Sequence, residues 1–179
     1  MKDKQIAERY ALGFMEAVGK DNYTKLIIEV KALKSILSDN PEIVNIFASP
    51  VVADKDKIDI INPFVEQSEF KDYWHNFMML LNEKGRAPLF GLVADCLEEY
   101  ILEELNIVKV TIKTAYELAE DMRKKLISYI SEKINKEVEP TFVTDSSVIG
   151  GFIAESDNFI VDSSVKHSLE KFRLSLINM

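Results

Sequence analysis

The spacing of apolar residues changes once along the chain, just after Leu105, and no other feature restricts the possible folds as much. From Asp3 to about Leu105, apolar side chains recur at helical spacing. Beyond it, Val108, Val110, Ile112 and Thr114 alternate with Lys109, Thr111 and Lys113, the two-residue repeat of a half-buried strand. A helix buries a stripe and a strand buries alternate residues, so the two halves need different partners for their apolar faces. The 179 residues therefore read as two domains, 1–105 helical and 106–179 a smaller α+β unit.

In the first part, Ile6, Tyr10, Phe14 and Val18 fall four apart, with Ala7, Ala11 and Met15 beside them, giving one helix a broad apolar stripe. Gly19 is expected to end that helix in the left-handed conformation, and Asp21 to cap the next. The second helix presents Leu26, Val30, Leu33 and Leu37, and Pro41 suits the first turn of a third. Pro50, Pro63 and the Gly85–Pro88 stretch divide the remainder into helices near Ala53–Asn62, Ser68–Glu83 and Pro88–Leu105. The fold class is mainly α with a smaller α+β part: an N-terminal six-helix bundle, then a small C-terminal α+β domain.

In the second part, a helix is expected over Leu118–Ile134, and strands over Val138–Thr144, Val148–Ala154 and Asn158–Val161. Asp157-Asn158 turns the chain between the last two. Ser163 or Ser164 caps a final helix whose apolar face is Val165, Leu169, Phe172 and Leu176. About 70 residues make a marginal core, so this unit is expected to gain stability from docking to a partner.

Composition narrows the function classes. Hydrophobic residues make up 47% and charged residues 29%, enough apolar material for genuine cores. Twenty-two basic residues against 30 acidic ones leave a net charge of -8, which repels nucleic acid and anionic membrane surfaces and leaves protein partners as the better fit. No apolar run approaches the roughly 20 residues that span a bilayer, and the start of the chain lacks a secretory leader's pattern, so a soluble protein is expected. The single cysteine, Cys96, cannot form an internal disulfide and reads as a small buried hydrophobe.

No catalytic constellation emerges. His75 and His167 lack neighbouring donors at metal-ligand spacing. Gly150-Gly151 is followed by neither a Walker lysine nor a dinucleotide fingerprint, which leaves a close backbone approach or a bulge within a strand. The pairs Glu98-Glu99 and Glu103-Glu104 read as the solvated face of a helix. No catalytic residue, metal site or cofactor is expected. Trp74, with Phe70, Phe77, Met78 and Leu81, makes a heavily apolar helix that reads first as bundle core; the excess also suits a helix that uses one face for its neighbours and another for an incoming amphipathic helix.

These residues converge on a family. Ile6-Ala7-Glu8-Arg9-Tyr10-Ala11, Leu81-Asn82-Glu83-Lys84-Gly85-Arg86 and the block Asp145-Ser146-Ser147-Val148-Ile149-Gly150-Gly151-Phe152, continuing through Asp157 to Ile160-Val161-Asp162-Ser163-Ser164-Val165, resemble the delta subunit of F-type ATP synthases. That family is the bacterial counterpart of the mitochondrial oligomycin-sensitivity-conferring protein. Thr114-Ala115-Tyr116-Glu117-Leu118 resembles its strand-to-helix link, although Tyr116 and Glu117 depart from the usual pattern.

The resemblance implies a non-catalytic stator subunit atop the catalytic head. An alpha subunit's N-terminal helix would lie between the first and fifth helices, here about Lys4–Val18 and Ser68–Glu83. The second domain would hold the peripheral stalk's b subunits, at the cytoplasmic face of a bacterial plasma membrane reached only through the complex. It implies Tyr10 and Gly13 toward the groove with Phe14 beside them, Gly13 permitting close helix approach. On the fifth helix Trp74, Phe77, Met78 and Leu81 are candidates, core and groove not separated. Gly150 and Gly151 match the family signature and are read as structural for the sheet, with Asp162 and Ser163 shaping the start of the last helix.

Overall fold

The computed structural model describes residues 2–49 and 51–177. The chain divides into two compact units, Met1–Leu105 and Asn106–Met179. It is mostly helical, with a four-stranded sheet in the second unit.

The first unit carries α1 (Lys2–Val18), α2 (Tyr23–Asp39), α3 (Pro41–Ala48), α4 (Asp54–Val65), α5 (Lys71–Glu83) and α6 (Phe90–Glu104). Helix α6 packs against α1 and α2 and buries Val93, Leu97 and Ile101, four residues apart, completely. Ala7 and Ala11 are equally buried on α1. Each fully buried Val, Leu or Ile stabilises the fold by about 1.5–3 kcal/mol relative to leaving it in water. Lys34 of α2 reaches Asp95 at 2.7 Å and the buried Glu98 at 2.5 Å, fastening the polar edge of the same interface.

Several boundaries differ from expectation for identifiable reasons. Gly19 does take a positive φ of 86°, but with ψ 148° outside the left-handed helical well. Asp21 is no cap: a one-turn 3₁₀ helix, Lys20–Asn22, intervenes, and Asn22 turns back so that its Nδ2 donates to the Val18 carbonyl at 2.8 Å. Pro63 lies inside α4 instead of ending it, because in the final turn it removes a single ladder bond while Ile61 and Val65 on either side are buried. Helix α5 begins at Lys71, not Ser68, since the Ser68 hydroxyl accepts the Phe70 amide at 2.8 Å and holds the chain outside the helix. Pro88 sits in a separate 3₁₀ turn, Ala87–Leu89, ahead of α6.

The second unit runs β1 (Ile107–Thr114), α7 (Glu120–Ile134), β2 (Glu137–Thr144), β3 (Phe152–Ser156), β4 (Phe159–Asp162) and α8 (Val165–Ile177). The strand order is β2-β1-β3-β4, with β1 parallel to β2 through the α7 crossover and antiparallel to β3. Pro140 is tolerated because β2 is an edge strand. Ser156 pairs with Phe159, which leaves Asp157-Asn158 as a two-residue hairpin turn. Val110, Ile112, Ile130 and Ala154 form the core, with Leu126, Phe142, Phe152 and Val161 packed on it. The α7 ladder ends where Asn135 adopts the left-handed conformation, φ 53° and ψ 42°.

Strand β3 starts at Phe152, four residues later than its apolar run suggests. Asp145 closes a turn instead: its carboxylate accepts the Ser147 amide at 2.8 Å and its carbonyl the Val148 amide at 3.1 Å. Val148 is buried, but it lies in the chain before β3 and not within the sheet. The apolar face expected to pack α8 is outward-facing: Leu169 is 62% exposed and Leu176 58%.

Candidate helix-docking groove

Helices α1 and α5 leave a groove of about 740 Å³ open along their length. Ile6, Tyr10, Gly13, Phe14 and Ala17 line it from α1, at the three- and four-residue spacing of one helical face. Tyr73, Asn76, Phe77 and Leu80 line it from α5, and Arg9 and Arg86 supply its two charges. The floor is aromatic. The Phe14 ring lies 4.4 Å from Trp74 and 4.8 Å from Phe77, the latter edge to face, and Tyr10 approaches Phe77 at 6.3 Å. Such tilted and edge-on pairs are worth about 0.5–1.5 kcal/mol beyond their buried area, so the floor is stiff before anything binds.

Helix α5 is pinned at both ends. At its start, Glu29 of α2 accepts three hydrogen bonds: from the Ser68 hydroxyl at 2.6 Å, the Glu69 amide at 2.7 Å and Trp74 Nε1 at 2.9 Å. At its finish the Gly85 amide donates to the Asn82 carbonyl at 2.8 Å and the Arg86 amide to the Leu81 carbonyl at 2.7 Å. That pair of bonds is the Schellman motif, and it requires the positive φ of 64° that Gly85 adopts. The turn Leu81-Asn82-Glu83-Lys84-Gly85-Arg86 thus has a mechanical role: it ends α5 and swings Arg86 to the mouth of the groove.

Tyr10 and Gly13 line the groove from its exposed side, Phe14 and Phe77 line it while being buried, and Trp74, Met78 and Leu81 have no exposed surface and belong to the core. Gly13 does not serve close approach between helices of this chain, since a Cβ there would meet nothing within 4 Å. The open space lies on the groove side and is available to an incoming chain. Tyr73, Asn76, Leu80 and the two arginines were not singled out from sequence. Tyr73 and Leu80 precede the buried Trp74 and Leu81 by one position each, which is 100° of helix rotation away from the core. That offset is the signal that marks them.

In the second unit, Gly151 has φ 78°, and a Cβ on it would fall 2.3 Å from the Ser163 carbonyl oxygen. Gly150 accepts the Val165 amide at 3.0 Å, and Ser163 donates its amide to the Phe152 carbonyl at 2.9 Å. The glycine pair is neither a strand bulge nor a phosphate cradle. It is the seam where the start of α8 lies directly on the backbone before β3, facing a carbonyl oxygen that would repel an anion. Ser163 acts through its backbone. The side-chain roles fall to Asp162, whose Oδ1 accepts the Ser164 amide at 2.8 Å, and Ser164, whose Oγ accepts the His167 amide at 3.1 Å as the helix cap. Hydrogen bonding to Ser164 holds the Asp162 carboxyl below its ordinary range.

Among the described residues, no group of three or more His, Cys, Asp or Glu side chains could hold a metal ion. His75 is exposed on α5, and His167 Nδ1 stands 3.9 Å from Asp162 Oδ2. Cys96 is buried, and burial pushes its thiol pKa up, away from the thiolate a nucleophile needs.

Comparison with known proteins gives a consistent picture. The family model described as ATP synthase delta (OSCP) subunit matches residues 6–176. The ATP synthase subunit delta of Rickettsia felis is 30% identical over 177 residues, covering 98% of this chain and 96% of that protein. The subunit of the same name from Rickettsia prowazekii is 29% identical over 180 residues, 100% of this chain and 98% of that one. A chain in the cryo-EM structure of the Toxoplasma gondii mitochondrial ATP synthase hexamer shares the fold, with TM-score 0.67 at 18% identity over 96% of this chain and 97% of that chain.

Proposed function

Given that the chain belongs to the ATP synthase delta (OSCP) subunit family, we propose that it is a non-catalytic stator subunit, linking the catalytic head to the peripheral stalk so that proton-driven rotation is coupled to ATP synthesis. Its first unit, a six-helix bundle in this reading, takes the N-terminal helix of an alpha subunit in the groove between α1 and α5. Its second unit takes the b subunits of the stalk. The protein sits at the cytoplasmic face of the bacterial plasma membrane, held there through the complex. No helix among the described residues is long and apolar enough to cross a membrane, in keeping with a peripheral place.

The observation that carries this reading is the groove itself. A stator has to resist torque, which calls for tight binding on a preformed surface and no bond chemistry. Nanomolar affinity corresponds to about -12 kcal/mol. A rigid aromatic floor, with an exposed glycine in its wall, suits an amphipathic helix laid lengthwise. For the stalk, the support is the apolar face of α8, where Leu169 and Leu176 are exposed at helical spacing.

The test is calorimetric titration of the folded chain with a peptide comprising the N-terminal residues of the same organism's alpha subunit. Binding near 1:1 is expected, blocked by Gly13→Leu. Absence of heat with demonstrably folded protein removes the reading.

A further inference from the structure

Resting on the groove reading above, we infer that Arg9 and Arg86 form a basic mouth at one end of the groove, and that the helix it accepts carries a carboxylate side chain at the matching end of its apolar stripe.

The ring contacts establish the geometry. Tyr10 meets Phe77, while Phe14, one turn further along α1, meets Trp74, earlier on α5. The two helices are therefore antiparallel across the groove, and the early end of α1 lies beside the late end of α5. Arg9 comes from the first half of α1, and the turn that closes α5 brings Arg86 to the same groove. Both arginines therefore line the half of the groove that holds the start of α1 and the finish of α5.

Charge makes the mouth selective. The chain has a net charge of -8, yet no Asp or Glu among the described residues lines this groove. Arg9 and Arg86 are the only arginines in residues 1–105, and both line it. Each is exposed, and neither forms an ion pair among the described residues, in contrast to Lys20, Lys25, Lys34 and Lys84. A guanidinium presents a planar fork that fits a carboxylate with two parallel hydrogen bonds, which a lysine cannot do. From Ile6 to Ala17 the groove spans about 17 Å, so its occupant covers about three turns. Apolar contact along those turns supplies affinity, and the arginines at one end set direction and register.

The experiment titrates the full chain with the alpha N-terminal peptide and with the same peptide having every Asp and Glu replaced by Asn and Gln. The expected result is a Kd about tenfold weaker for the amide peptide on the native chain. On the Arg9→Gln/Arg86→Gln variant, verified as folded by circular dichroism, the two peptides should differ less than about twofold. The association rate of the parent peptide should fall with salt on the native chain and lose most of that dependence on the variant. Equal binding of both peptides by the native chain, or a parent peptide with no carboxylate that still binds tightly, overturns the inference while leaving the groove reading intact. Failure of the parent peptide to bind at all removes both. The peptide comparison on the native chain requires no substitution in the protein, so it stands even if the variant does not fold.

Discussion

Gly13 is unusual for a residue in mid-helix: it is exposed, and among the described residues nothing lies within 4 Å of where a Cβ would stand. Glycine in a helix interior costs about 1 kcal/mol relative to alanine, so the position carries a standing cost in the free protein. Gly13→Ala should stabilise the isolated chain by about 0.5–1 kcal/mol, read as a higher denaturant midpoint, while weakening capture of a helix in the groove. Gly151 is the opposite case. With φ 78° and a backbone oxygen 2.3 Å from where a Cβ would lie, Gly151→Ala has to strain its own backbone and push the start of α8 outward. A loss of at least about 1–3 kcal/mol is expected in chemical denaturation of the second unit.

At the scale of elements, the start of α8 depends on a titratable group. Asp162 accepts the Ser164 amide at 2.8 Å, and hydrogen bonding to the Ser164 side chain and then to its amide lowers its carboxyl pKa from the ordinary 3.8. A carboxyl depressed in the fold stabilises it above the unfolded value, and that contribution disappears as pH falls through the lower folded value. The second unit should therefore keep this contribution above about pH 5 and lose it progressively below 3.8. Asp145, lowered by its hydrogen bonds to Ser147, adds in the same direction. Asp162→Asn should flatten the acid limb of a stability-versus-pH curve for this unit; an unchanged limb would remove Asp162 from the explanation. In the first unit, Glu29 anchors the start of α5 by accepting hydrogen bonds from Ser68, Glu69 and Trp74.

At the scale of the whole molecule, we propose that the two units are separable domains with separate duties. Residues 1–105 hold their own buried set, from Ala7 and Leu26 through Trp74 to Leu97 and Ile101. Expressed alone, they should give a cooperative thermal transition and keep the groove intact, so that the alpha peptide binds the fragment within about twofold of the full chain. A fragment lacking a cooperative transition would show that the helical unit depends on the remainder. Among the described residues, the second unit has a much smaller set of buried apolar side chains: Val110, Ile112, Ile130, Val148 and Ala154. Such a core is marginal by itself, consistent with its α8 face gaining from a partner.

Local periodicity was enough to identify the helices and strands, because burying one face imposes a repeat that any compact fold must satisfy. It marked the change of architecture after Leu105, the hairpin at Asp157-Asn158 and the helix that begins near Ser164. It could not divide α5 into core and groove, since Trp74, Met78, Tyr73 and Leu80 are all apolar, and only packing against α1 decides which of them are covered. Nor could it tell that Val148 belongs to a turn, that Gly151 faces Ser163, or that Arg9 and Arg86 line one groove. Those are relations between segments distant in sequence, and their energies exist only once the tertiary structure has brought the segments together.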